Sequence, residues 1–313
     1  MQPMKPPKCL ICMRIGISGG TGLIGSKLTK ELLDRNHEVH VFTRSKNPNR
    51  ISDSNLLKYI STNSIQAKDL ENLDVFFNLA GENIAGVRWT KLAKEEFYKS
   101  RVGHTKNLVD AINACKNPPS IFINASAIGY YGAYPDSKVL FQETDQQGED
   151  YLGQLCADWE SAAKGILNLK TQVRIARIGI VLDTQGGALA KLIPIFKSFL
   201  GGPIGSGKQG MSWIHSQDLV NAFIFMMEPK RKNSIFNLTA PEPKTNFEFA
   251  KSLGKALNRP SFFPTPNLAL DAIFGEGSVV VTHGQFVAPA NLIEEGFHFL
   301  FPELDLALKK LLQ

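Results

Sequence analysis

Arg14-Ile15-Gly16-Ile17-Ser18-Gly19-Gly20-Thr21-Gly22-Leu23-Ile24-Gly25 is the stretch that decides the fold. Arg14 to Ser18 is a short apolar run of the kind found in buried parallel strands. Glycine punctuation follows at Gly19, Gly22 and Gly25, then a helical stripe of Leu23, Ile24, Leu28, Leu32 and Leu33. A strand that turns through glycines into a helix is built for a dinucleotide. The glycines allow the sharp turn, the close approach of a pyrophosphate and tight helix–sheet contact. The helix N-terminus then offers free N–H groups and the positive end of its dipole. The competing reading is a tight turn with no ligand. Strand and amphipathic helix stand on either side, which favours the dinucleotide.

Working outward, His37–Phe42, Asp74–Leu79, Ile121–Asn124 and Val173–Ile178 read as further strands. Helical patterns run from about Lys91 to Cys115 and from Tyr151 to Leu167. Strands alternating with helices predict an α/β fold, a Rossmann doubly wound parallel sheet. After Val181 the texture changes to glycine-rich loop, and the last 70 or so residues carry short, proline-broken elements. The expected organisation is an unstructured leader over residues 1–12, a cofactor domain over 13–240 with a loop insertion at about 184–214, and a smaller C-terminal substrate lobe over 241–313.

With 313 residues, 43% apolar and 20% charged, the chain is composed as a globular protein, not as a disordered or coiled-coil one. Its net charge of +6 is spread thinly, apart from small excesses at Lys5, Lys8 and Arg14 and at Arg44, Lys46 and Arg50. That pattern suits anionic small molecules and predicts no nucleic-acid partner. No apolar run approaches a membrane span, and none is expected to engage a membrane. Four cysteines are too few for a disulfide framework, so a reducing, cytoplasmic setting is expected. Cys9-Leu-Ile-Cys12 has CxxC spacing but no second ligand pair for zinc, and it leads into a strand instead of opening a helix. No metal site is expected, and the oligomeric state is not legible.

Cofactor choice is read at the end of the second strand. NAD enzymes place an acid there for the ribose 2′-hydroxyl. Here the strand ends Phe42-Thr43-Arg44-Ser45, with no acid. Arg44 has the planar fork to grip a 2′-phosphate, with Thr43 or Ser45 beside it, so NADP(H) is the expected cofactor. The alternative is that Arg44 is a solvated loop charge.

Several segments together carry a family resemblance. They are the glycine loop, Asn78-Leu79-Ala80-Gly81-Glu82-Asn83-Ile84, Arg88-Trp89, Ser100-Arg101, Ala127-Ile128-Gly129-Tyr130-Tyr131-Gly132, Trp159-Glu160, Gly201-Gly202-Pro203-Ile204-Gly205-Ser206-Gly207 and Trp213-Ile214-His215. From Met13 to the C-terminus the chain resembles the atypical extended short-chain dehydrogenase/reductases. These are the "epimerase family" branch of the NAD-dependent epimerase/dehydratases, which carries a C-terminal domain of unknown function. The resemblance implies that Gly19, Thr21, Gly22, Leu23, Ile24 and Gly25 face the pyrophosphate, and that Thr43 and Arg44 take the 2′-phosphate. It places Leu79, Ala80 and Gly81 along the adenosine and ribose and Leu182 near the nicotinamide. Arg101 would reach a cofactor phosphate or shape that loop; a surface salt bridge to Glu95 or Glu96 is the alternative.

Active members of the wider superfamily use a Tyr-x-x-x-Lys pair on one helix face, the cation lowering the phenol's pKa. Here the helix offers Leu152 and Cys156 in one register and Tyr151 and Leu155 in the next, so the pair is absent in both. Ala127 falls at the usual Ser/Thr position, with Ser126 one residue early. Sugar-nucleotide epimerase chemistry is therefore not expected. The candidate substitutes are Tyr130, Tyr131, Ser126 and Cys156. Packing at the strand end is the competing role for the tyrosines, and a small buried hydrophobe is the competing role for Cys156. Asp158 reads as a surface charge. His215 and Asp218 read as a helix start capped by Ser216 or Asp218. The Gly201–Gly210 run is either a substrate loop or a surface connection, and Asn267–Phe274 reads as a short amphipathic helix covering the cleft. Two functions remain in view. One is an NADP(H)-dependent oxidoreductase acting on a carbonyl or sugar-like substrate. The other is a non-catalytic NADP(H) sensor that shifts conformation for a partner.

Overall fold

The computed structural model describes residues 12–45, 51–61, 63–136 and 138–313. The leader reading falls outside these residues except for exposed Cys12, as do Cys9, Lys46 and Arg50. Seven parallel strands form the central sheet. They are β1 (Arg14–Ser18), β2 (Glu38–Thr43), β3 (Leu57–Ser61), β4 (Val75–Asn78), β5 (Ile121–Ala127), β6 (Gln172–Ile178) and β7 (Ile235–Leu238). Their order across the sheet is β7-β6-β5-β4-β1-β2-β3. Strand order therefore reverses between β1 and β4, and a crevice opens beyond their C-terminal ends at that point.

Successive side chains in the strands point to opposite faces, and both faces are apolar. On one face Ile15, Ile17, Val39, Val41, Val75, Phe77 and Ile123 meet Leu28 and Leu32 of α1 (Leu23–Asp34) and Leu219, Phe223 and Met226 of α7 (Ser216–Met226). On the other, Phe42, Phe76 and Phe122 form an aromatic row covered by Leu108 and Ile112 of α4 (His104–Asn113) and by Ala163 of α5 (Tyr151–Ala163). The long helix expected from Lys91 divides into α3 (Lys91–Tyr98), a π turn (Lys99–Gly103) and α4. Such π turns recur at functional sites. No strand is expected between Phe42 and Asp74, yet β3 is there. It is an edge strand with every residue at least partly exposed, so its pattern carries little apolar signal.

A second core lies beyond the sheet's C-terminal edge. Leu182, Leu189, Phe196, Trp213, Phe249, Leu253, Leu304 and Leu308 are all buried in it. It joins α6 (Gly187–Lys197) to α8 (Asn246–Leu257) and α12 (Leu304–Leu312). This second core is thus built from the inserted segment after β6 together with the C-terminal helices. Asp218 ties it to the sheet domain by accepting the Leu300 and Phe301 N–H groups at 2.8 and 2.9 Å. That use of Asp218 replaces the capping role expected for it. His215 caps α7 instead, its Nδ1 accepting from Gln217 N at 3.0 Å. No helix of the described residues is long and apolar enough to cross a membrane.

Candidate functional site

The glycines are held by steric need. Gly19 has a φ of +75°, and a Cβ there would lie 2.7 Å from the Leu79 carbonyl. A Cβ on Gly25 would lie 2.2 Å from the Gly19 oxygen, so the helix could not seat against the turn. Gly22 occupies the N-cap of α1 and supplies no side-chain acceptor, and the first turn holds no acid. The first N–H groups of α1 therefore have neither a capping side chain nor a carboxylate neighbour, and they face the β1–β4 crevice. Thr21 is exposed, and Leu23 and Ile24 are half-buried along its edge. This is a cradle for a polyanionic ligand.

The other walls come from the ends of β2 and β4. Thr43 closes the turn after β2, its Oγ1 accepting from Ser45 N at 3.1 Å. Arg44 is exposed and pairs with Glu82 Oε1 at 3.0 Å, a partner that the sequence reading does not anticipate. Leu79, Ala80 and Gly81 run directly from β4 along the glycine turn, with Leu79 N donating to Ser18 O at 3.0 Å. Arg101, in the π turn, lies beneath Gly81. Its Nη2 donates to the Glu82 carbonyl at 2.8 Å and its guanidinium lies 5.3 Å from the Trp159 ring centroid. The expected alternative of a bridge to Glu95 or Glu96 is absent among the described residues. Arg101 Nη1 is buried and has no protein partner in the described residues, and burial lowers the guanidinium's pKa. A guanidinium with one buried, unpartnered nitrogen beside an open helix N-terminus fits a phosphate-bearing cofactor. Leu182 is a different case. Its side chain is buried in the second core, so only its backbone could meet a ligand.

Beneath the crevice Asn78 is a buried hub. It accepts from Ser18 Oγ at 2.7 Å and donates to Thr105 Oγ1 and Asn124 Oδ1 at 2.8 and 2.7 Å. Trp159 Nε1 also donates to Thr105 Oγ1, at 2.9 Å. Asn78 thus joins β1, β4, β5 and α4, and Thr105 carries the link on to α5. The resemblance marks it at the head of Asn78–Ile84, but its role as a hub is not legible there, since its partners are distant in the chain.

The structure gathers three of the four catalytic candidates into one buried polar network. Glu160 and Arg177 form a bidentate pair at 2.8 and 2.9 Å. Ser126 Oγ donates to Glu160 Oε1 at 2.8 Å. Tyr131 OH accepts from Arg177 Nη1 at 2.9 Å and donates to Asn237 Oδ1 at 2.7 Å. Burial pushes the Tyr131 phenol up to about 12 despite Arg177, and pushes the Cys156 thiol, with Glu160 nearby, up to about 12. The Arg177 guanidinium is held above its ordinary value: burial alone would lower it, but the Glu160 carboxylate overrides that effect. A phenol and a thiol raised this far are poor acid–base groups at neutral pH. Ser126, Tyr131 and Cys156 are all buried within this network. Tyr130 differs: it is half-buried at the end of β5, with Arg177 3.5 Å from its ring centroid. The geometry also chooses the helix register. Leu152 and Cys156 are the α5 side chains that face Gly129, where a Cβ would lie 3.4 Å from Leu152 and 3.8 Å from Cys156. An apolar branch and a buried thiol thus line the face of α5 that meets Gly129.

Asp158 lies on the helix surface and accepts from Gln154 Nε2 at 2.7 Å. The Gly201–Gly210 run is tied down through buried Gln209, whose Nε2 reaches the Ile204 and Val281 carbonyls. The short helix α9 (Asn267–Phe274) forms but buries none of its residues, and Arg88 Nη1 donates to its Ala272 carbonyl at 3.1 Å. No group of three His, Cys, Asp or Glu side chains converges as a metal site among the described residues.

Comparison with known proteins agrees with this architecture. The family model described as NAD dependent epimerase/dehydratase family matches residues 15–239, and a domain of unknown function, DUF1731, matches 265–311. The chain is 38% identical to the Arabidopsis thaliana protein named "Epimerase family protein SDR39U1 homolog, chloroplastic", over 96% of this chain and 87% of that one. The crystal structure of the human epimerase family protein SDR39U1 with NADPH superposes with a TM-score of 0.86 at 33% identity, covering 96% of this chain and 99% of that one. UDP-glucuronic acid 4-epimerase from Bacillus cereus shares the fold at a TM-score of 0.76 and 18% identity, over 96% of this chain and 99% of that one. By both its sequence and its seven-stranded sheet, the chain belongs to the NAD dependent epimerase/dehydratase family.

Proposed function

We propose that this protein binds NADP(H) across the β1–β4 crevice and is an oxidoreductase-type member of its family, acting on a carbonyl or sugar-like substrate without the Tyr-x-x-x-Lys pair. The observation that carries the reading is the α1 N-terminus, which is uncapped and free of acids beneath glycines that tolerate no Cβ. The relative crystallised with NADPH supports it. Arg44 favours the phosphorylated cofactor: a 2′-phosphate, being a dianion, replaces the single Glu82 carboxylate as its partner. NADPH, when bound, supplies a hydride. This chain's residues orient it, and among the catalytic candidates Tyr130 is the phenol left partly open to a substrate oxygen.

A second reading, a non-catalytic NADP(H) sensor, draws on the Leu152–Cys156 face. That face puts no acid–base group opposite Gly129. Thermal melting tests the shared claim. NADPH at about a hundredfold over its Kd adds about 2.7 kcal/mol of stability, and NADH at the same concentration adds less. A melting temperature unmoved by either dinucleotide overturns the reading. NADPH consumption against a panel of aldehydes and ketones then separates enzyme from sensor.

A further inference from the structure

Helix α6 ends in a Schellman turn: Phe199 N donates to Phe196 O at 3.0 Å and Leu200 N to Ile195 O at 3.1 Å. The residue after the cap of such a turn takes the left-handed conformation and is normally glycine or asparagine. Here it is Phe199, at φ +63°. The other non-glycine residues with positive φ among those described are Asn36, Asn72 and Asn258. A phenylalanine at this position pays a conformational cost, and its ring does not repay it by burial, being 53% exposed. Beside it Leu200, Phe262 and Phe263 are also exposed, Phe262 at 77%. The two segments touch directly: Phe263 N donates to Gly201 O at 3.4 Å, and the Arg259 guanidinium lies 4.6 Å from the Phe199 ring centroid.

The two segments that carry this patch are basic. Residues 195–208 contain Lys197 and Lys208 and no carboxylate side chain, and residues 249–270 contain Lys251, Lys255 and Arg259 and none either, Lys255 being paired with Asp305 of α12 at 2.8 Å. Arg259 Nε donates to the Lys197 carbonyl at 3.4 Å, which holds the basic collar against the aromatic tips. Protruding aromatics flanked by Lys197 and Arg259 suit a lipid interface, where the rings enter the acyl boundary and the cations meet anionic headgroups. We propose that the α6 C-terminus and the Arg259–Phe263 segment dock this protein on an anionic lipid surface. The expectation of no membrane partner rests on the lack of a spanning segment, and a surface contact needs none.

The test is co-sedimentation of the full chain with phosphatidylcholine vesicles, with and without phosphatidylserine, together with thermal melting. The wild type should sediment with the phosphatidylserine vesicles and be released by salt. Phe199→Gly keeps every charge and relieves the left-handed strain. It should bind on the order of tenfold more weakly while melting no lower than the wild type. Phe262→Ser should weaken binding similarly. A wild type that ignores phosphatidylserine vesicles, or a Phe199→Gly variant that binds as tightly as wild type, overturns the proposal. So does light scattering that shows a wild-type dimer made monomeric by Phe199→Gly, since a second copy would then cover the patch.

Discussion

Glutamine at position 160 would test whether the buried network is structural. Glu160 and Arg177 are each about 1% exposed, and the carboxylate accepts from Arg177 Nε and Nη2 and from Ser126 Oγ. Glu160→Gln keeps the shape but strips the negative charge, leaving the Arg177 guanidinium buried and uncompensated. Breaking one side of such a pair costs about 3–5 kcal/mol. Guanidinium unfolding followed by far-UV circular dichroism should show the midpoint fall by that equivalent with the slope unchanged. Replacing both residues by methionine should recover most of the loss, because an apolar pair carries no stranded charge. NADPH affinity of folded Glu160→Gln should stay at the wild-type value. A loss below about 1 kcal/mol, or a collapse of NADPH binding in a protein that remains folded, would refute the reasoning.

Three further outcomes are expected. Gly25→Ala sets a Cβ 2.2 Å from the Gly19 carbonyl, so it should cost about 1–3 kcal/mol and abolish NADPH binding in the same melting assay. Burial takes His215 down to about 4, below its unfolded value of about 6.5, so the fold favours the neutral ring. That stability is complete above about pH 6.5 and is lost as pH falls toward 4, so His215→Asn, which keeps a capping side chain, should gain about 3 kcal/mol on wild type between pH 7 and pH 4; parallel acid limbs would count against it. Cys156 is buried with its thiol pushed up to about 12, so iodoacetamide at neutral pH should label exposed Cys12 and spare Cys156 until denaturant is added; peptide mass mapping reads the result.

Much of the architecture is legible because its signals are local. The glycine turn, the apolar strands and the α1 stripe each lie within a dozen or so contiguous residues, and together they specify the parallel sheet. β3 escapes because an edge strand with partly exposed residues lacks the continuous apolar run of its neighbours. The catalytic candidates are legible as residue types but not as roles, since their roles depend on distant partners. Tyr131 meets Asn237 across 106 positions, and Ser126 meets Glu160 across 34. Two helix registers remain open until the approach of Leu152 and Cys156 to Gly129 chooses one. Glu82 illustrates the same limit. It follows the glycine after β4 in plain view, yet its pairing with Arg44 arises only when the ends of β2 and β4 come together beside β1.

The most direct test of the central claim is titration calorimetry of the purified chain with NADPH and NADH, repeated on Arg44→Ala. The account predicts tighter binding of NADPH than NADH, about a tenfold or greater loss of NADPH affinity in the variant, and little change for NADH. Equal affinity for the two dinucleotides, an NADPH affinity indifferent to Arg44, or no binding at all would contradict it.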